Sequence, residues 1–406
     1  MPSGHRAAVQ LGGKRAVAIF AVCLIAFVTE TQFTQYVQAQ LGFRQPYLIF
    51  YVVHSAFATS FPVHVLYLAA TTEHSVTSIL KTVLVTTQQQ LSPKSTTALN
   101  SATFPTLRFL RLIFYLTLGM TVPSLLWFVA VALAPVTDVT ALWNTNALFA
   151  YVFTVLLFGH KWDPRRLLAV LIATVGAAVV VYGDSGPDKT DSSEGLLSAP
   201  SLEDEGPSSP LMGDLLTLAA SILYAAYQVF YKAYAALPND PEVESNEVYA
   251  PLADSPDGPV DDLESGSDAV VWSHGQIIDP LPFGLHPNLL TFGIGICTLV
   301  VFWIPIPILH ILGIVPFELP QRGITYLAIG GVALSGAVFN AGFMVLLGVW
   351  GPVVTSVGNL LTIVLVFLSD AIWGGAVDKV TFWAVLGCGS IVIAFAILAY
   401  DLMSRH

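Results

Sequence analysis

The chain has 406 residues, 55% hydrophobic and only 11% charged, with a mean hydropathy of +0.71; soluble proteins carry roughly 25% charged residues. Too few charges remain to coat a soluble surface of this size, so a soluble globular domain is excluded and a membrane protein is expected. The net charge of −11 is local: 18 of the 27 acids fall within 184–205 and 240–279, and setting those acids aside leaves nine against 16 Lys and Arg.

A helix needs about 20 apolar residues to cross roughly 30 Å of hydrocarbon. On that length the sequence predicts ten spans, at 15–36, 47–70, 110–133, 138–158, 165–183, 212–235, 287–309, 323–347, 352–374 and 379–400. The first apolar stretch has no A-x-A-like cleavage site and continues through Glu30 to Tyr36, so it reads as a span and not as a cleavable signal. Prolines 46, 135, 164, 287 and 352 lie near span ends, where a missing N–H costs least, whereas Pro62, Pro123, Pro305 and Pro307 are expected to kink their helices. Cys23, Cys297 and Cys388 all sit in apolar runs and read as buried small hydrophobes.

With the N-terminus in the cytosol, twelve Lys and Arg fall on the cytosolic side and four (Arg44, Lys189, Arg322 and Lys379) on the other, which predicts both termini cytosolic. Three long connections interrupt the pattern. Residues 71–107 are rich in Ser, Thr and Gln, and 184–211 and 236–286 in Ser, Pro, Asp and Glu. Each lacks the apolar content to offset its ordering entropy, so all three are expected to be largely disordered, as linkers or as docking segments for protein partners.

Shifting the second half over the first by 215 positions aligns 138–171 with 353–386 without a gap and gives eight identities in 34 positions, including Thr140/Thr355, Asn144/Asn359 and Asp163/Asp378. Five spans per half is an odd number, so the second copy enters the membrane upside down. The expected fold is an all-α polytopic membrane protein of ten transmembrane helices in two inverted five-helix repeats: 1–183, an acidic linker 184–211, and 212–406. Thr140 and Asn144 lie four apart on one helix face, as do Thr355 and Asn359. Polar groups in lipid must face a cavity or a partner helix, so these patches are candidates for a substrate site at the midplane, with interhelical hydrogen bonding as the plainer reading. Asn146 lies about 200° round the helix from Asn144, so one of the pair is expected to line the cavity and the other to bond a neighbouring helix.

Several stretches resemble a known family. They are Thr31-Gln32, Pro46 with Phe61-Pro62, Thr137 to Leu142 followed by Asn146, Gly213-Asp214 and Tyr231-Lys232. Together with the five-plus-five layout they are similar to the drug/metabolite transporter superfamily, whose repeat is the EamA domain, and within it to solute carrier family 35, subfamily F. The resemblance implies a carrier of small polar or charged organic metabolites, thiamine-like or nucleotide-related, working without ATP hydrolysis. It adds Gln32 to the candidate substrate residues. The chain departs from the family at Ala147, where members carry a lysine, so thiamine itself is not carried over.

Other intramembrane groups extend the candidate site. Glu30 lies about six residues, roughly 9 Å, from the non-cytosolic end of span one, with His54 at similar depth in span two. The two are candidates to share a proton or to bind a cationic substrate, against the plainer readings of a structural pair or of side chains facing apart. Trp127 is placed to stack on a flat substrate ring or simply to pack; His64 and Asn340 lie deep in their spans; Asp138 is placed to cap its helix. Gly183-Asp184-Ser185-Gly186-Pro187 matches a protease serine region by coincidence, since it ends a span and enters a polar loop. No metalloprotease, nucleophile-elbow or Walker motif occurs and the nine histidines are scattered, so neither an enzyme nor a cofactor is expected. The partners expected are a small-molecule substrate and the lipid bilayer, with no nucleic acid and with a homodimer left open. The expected location is an endomembrane (vacuole or Golgi) or the plasma membrane. A non-transporting receptor or scaffold acting through the acidic loops is the competing class.

Overall fold

The computed structural model describes residues 13–43, 45–73, 75–91, 104–134, 136–159, 161–182, 210–237, 281–314, 316–372 and 381–404. The acidic connections therefore lie almost wholly outside the described residues. Among those described, the regular structure is helical throughout, and nine stretches are long and apolar enough to cross a membrane.

Helix α1 (Gly13–Gln35) closes in a π turn at Tyr36–Gln40. Helices α2 (Pro46–Ala56) and α3 (Ser60–Thr71) are joined by a 3₁₀ turn at Phe57–Thr59, just before Pro62. Helix α4 (Val76–Leu91) corrects the expectation that 71–107 is unstructured. Its Ile79 and Val83 repeat at four residues and pack with Phe61, Val65 and Leu68 of α3, a local amphipathic pattern masked by the polar average of the stretch.

Helix α5 (Thr106–Leu133) runs through Pro123, and α6 (Val136–Trp143) and α7 (Asn146–Phe158) follow with a break at Asn144–Thr145. Gly159, at φ 65°, closes α7 in the left-handed conformation that glycine adopts most readily. Helices α8 (Pro164–Tyr182) and α9 (Pro210–Phe230) each begin on a proline, and α9 closes in a second π turn, Tyr231–Ala235. Helix α10 (Leu285–Val301) gives way to α11 (Pro305–Ile311), so Pro305 starts a helix instead of kinking one.

Helix α12 (Gly323–Asn359), followed by α13 (Leu361–Ile372), is far longer than one crossing requires, and its path breaks at Gly351 (φ 77°, ψ 172°). Pro352 has no N–H to offer the Gly348 carbonyl one turn back. Lys232 Nζ donates to that carbonyl at 2.8 Å, and Thr355 Oγ1 reaches the Leu346 carbonyl at 3.2 Å. Helix α14 (Phe382–Ser404) ends the described chain.

Three helix pairs make the main contacts: α8 with α14, α1 with α12, and α5 with α9. Glycines let backbones approach where helices cross. A Cβ on Gly176 would lie 2.9 Å from the Gly387 carbonyl, and one on Gly387 would lie 2.5 Å from the Gly176 carbonyl. On α5, Gly119 leaves room for the Tyr227 ring, 2.9 Å from where a Cβ would stand. Arg166 Nε meets Asp401 Oδ2 at 2.8 Å and pins one end of the α8–α14 pair.

Candidate functional site

Helices α1 and α12 run antiparallel, and their contacts form rungs. Phe33 packs over Gly331, Glu30 over Gly336, Phe27 against Phe339 with centroids 5.1 Å apart, and Cys23 against Gly342 while donating to the Phe339 carbonyl. At the Glu30 rung a Cβ on residue 336 would stand 2.8 Å from Glu30 Oε1 and 2.6 Å from Val53. Only glycine leaves that space for the carboxylate. Glu30 makes no hydrogen bond or ion pair among the described residues. It is half-buried, beside Gly336 and Val53. A carboxylate within an apolar span is costly without a partner, which makes this position a candidate for function.

From the next rung, Phe27–Phe339, an aromatic run leads across the bundle. Phe339 neighbours Phe343 (5.8 Å), Phe343 neighbours Tyr224 of α9 (6.5 Å), and Tyr224 stacks on Trp143 at the end of α6 (5.1 Å, 30°). Tyr224 is half-buried, as Glu30 is. Tyr227 stacks on Tyr224 and its hydroxyl donates to Met344 Sδ at 3.0 Å. Asn340, one turn beyond Gly336, donates to the Gly336 carbonyl at 2.9 Å and is partly accessible.

The other sequence-predicted residues hold different positions. Thr140, Asn144 and Asn146 are buried, and both asparagine amides turn back on their own span. Asn144 Nδ2 donates to the Thr140 carbonyl and Asn146 Nδ2 to the Trp143 carbonyl, at 2.9 and 2.8 Å. Neither amide nitrogen bonds a neighbouring helix as expected. The helix break frees the Trp143 carbonyl, which the Asn146 amide satisfies, while the Thr140 carbonyl keeps its backbone donor. Thr355 serves the Gly351 break, and Asn359 Oδ1 is buried without a hydrogen-bond partner. The patches at 140/144 and 355/359 are thus largely internal to their spans.

Gln32 donates to Ser369 of α13 at 3.4 Å. Trp127 packs with Ala130, Val139 and Leu216 in a small cluster apart from the aromatic run. His54 lies between Phe50 and Phe57, centroids 4.1 and 4.9 Å away, with Nδ1 on the Phe50 carbonyl, so the expected Glu30–His54 pair is not formed. Asp138 accepts a 2.8 Å hydrogen bond from the Tyr182 hydroxyl and ties α6 to α8, in place of the capping role. His64 Nδ1 lies 2.7 Å from Asn288 Nδ2. Sequence reasoning missed Gly336, Trp143, Tyr224 and Phe343. The one available signal was Tyr224 with Tyr227, three apart on a single face of α9. A shallow apolar groove lined by Val175, Val179, Tyr182 and Trp383 faces outward between α8 and α14, away from these polar groups.

No family model matches the chain, and no curated protein matches it. Solved structures do match. One, described only as the crystal structure of a protein, aligns over 96% of this chain and 98% of its own, with a TM-score of 0.55 and 14% sequence identity. That likeness speaks for a shared helical fold alone.

Proposed function

We propose that the protein is a secondary-active carrier of a small polar or charged organic metabolite, built on the ten-span inverted-repeat plan of the drug/metabolite transporters. The 47-residue stretch Gly323–Ser369, divided at Gly351, reads as two crossings and raises the count from nine to ten. The helix breaks at Asn144–Thr145 and Leu360 recur at the 215-residue offset of the sequence repeat. Spans one and six both close in π turns. Exchanging the halves maps the α1–α12 packing onto α9–α5, and both pairings occur.

The observation that carries the functional reading is Glu30, half-buried and unpartnered beside Gly336, one rung from the Phe27–Phe339 pair that begins an aromatic run. A scaffold gains nothing from an unpaired carboxylate in its core. Aromatic faces and a carboxylate together attract a flat or cationic organic group. Coupling follows from the same residue: a carboxylate that meets either side in turn can exchange a proton for substrate, and a gradient supplies the work. Uptake of a panel of labelled metabolites, organic cations included, into liposomes holding the purified protein tests the reading. Accumulation of one of them, lost in Trp143→Ala and Tyr224→Ala, is the expected result. A panel in which nothing accumulates above protein-free liposomes overturns it.

A further inference from the structure

Helix α4 has no counterpart among the spans, yet it touches both halves of the chain. One face, through Ile79 and Val83, packs with Phe61, Val65 and Leu68 of α3 and with Leu285 at the start of α10. The outward face carries Val76, Leu80 and Leu84 at four-residue spacing, exposed like Val63, Leu66 and Tyr67 on α3. The last carbonyl of α4, at Leu91, accepts from Arg108 Nη1 of α5 at 3.0 Å.

The contact that stands out is at Gln90. Helix α9 ends in a π turn, and such ends leave carbonyls without helical donors. Gln90 Nε2 lies 2.7 Å from the Ala235 carbonyl, 2.9 Å from that of Ala236 and 3.5 Å from that of Tyr234. One amide thus gathers the end of α9. Its own Oε1 is buried without a hydrogen-bond partner, so part of what the donated bonds contribute is offset. A contact so balanced holds a position yet releases at modest cost.

We infer that α4 is a strap and Gln90 its latch, holding the α4-side end of α9 against the first half of the chain and so keeping that end of the bundle closed. The strap spans the two halves: α3 and α5 on one side, the end of α9 and the start of α10 on the other. Alternating access requires that these ends part once in each cycle. The inference rests on the carrier reading, since a latch matters only where an end opens, but its test needs no substrate.

The test places a cysteine at Asn340 (Asn340→Cys) in the purified protein in liposomes and applies a membrane-impermeant maleimide from the face carrying α4. Mass spectrometry reads labelling at position 340 and at native Cys23, which is buried between α1 and α12. Gln90→Ala should raise labelling at 340 about ten-fold, the shift expected from losing one or two net hydrogen bonds. Gln90→Glu, which cannot donate, should do at least as much. Gln90→Arg, which still donates, should label like the parent, with Cys23 protected throughout. Conversely, a Gln90→Cys/Ala235→Cys cross-link should suppress labelling at 340 until it is reduced. Unchanged labelling in Gln90→Ala, an equal rise in Gln90→Arg, loss of Cys23 protection, or a cross-link without effect would each overturn the latch. A metabolite panel with no uptake would remove the carrier reading and leave these rates as measured, whereas intact uptake with unchanged labelling would remove the latch alone.

Discussion

Asn144 and Asn146 differ by two positions and serve one helix break, yet the chain depends on them unequally. The Thr140 carbonyl receives both the Asn144 amide and the Asn144 backbone N–H (3.2 Å), so it keeps a donor if the side chain is lost. The Trp143 carbonyl takes its donor from the Asn146 side chain. Asn146→Leu should therefore destabilise the fold by about 1–3 kcal/mol, the cost of a buried carbonyl left unmade, and Asn144→Leu by less; thermal melting in detergent ranks the two. At Glu30 the expectation concerns coupling. Glu30→Gln keeps shape and polarity but cannot change charge, so uptake should lose its pH dependence and its proton-driven accumulation, while substrate–substrate exchange survives. Gly336→Ala, which drives a methyl group into the Glu30 carboxylate, should impair uptake without touching any charge. An unaltered pH profile in Glu30→Gln would assign coupling to another group.

Among elements, the α8–α14 crossing shows how small residues fix a packing distance. Gly176 and Gly387 each face the other's carbonyl, whereas a Cβ on Gly389 meets nothing within 4 Å. Gly387→Val should separate the helices and cost about 1–3 kcal/mol or more through overpacking, while Gly389→Ala should be nearly neutral. Yield of monodisperse protein on size exclusion and the melting temperature separate these outcomes. Some element boundaries were legible in the sequence because proline marks them by backbone chemistry alone: Pro46 and Pro164, placed near span ends, open helices, whereas Pro305, expected to kink a span, opens a helix too. The position of Pro352 likewise matched a break, although its consequence, a carbonyl supplied by Lys232 from another helix, did not show. Helix α4 was missed because its apolar residues are few and the composition of the whole stretch is polar.

For the whole molecule, the inverted-repeat reading makes a topological demand. An odd number of crossings per half sends the 184–211 and 236–286 connections to opposite faces, with the termini together. Cysteines introduced singly into each connection should label from opposite sides with an impermeant reagent, and labelling of both from one side would end the five-plus-five scheme.

What the sequence determined by itself is the solvent and the helical build. An apolar excess with few charges requires a bilayer, and apolar runs of about 20 residues set helix lengths. Glu30 was legible too, since a lone acid within an apolar run stands out wherever it points. Only the tertiary structure decided the company each side chain keeps. It gave Glu30 the space over Gly336, turned the asparagines inward on their own carbonyls, and brought Trp143, Tyr224 and Phe343 into one run from three separate helices. Helical periodicity states which residues share a face of one helix. Which faces meet depends on the shape of every helix at once, through glycine contacts and crossing distances that no single segment encodes.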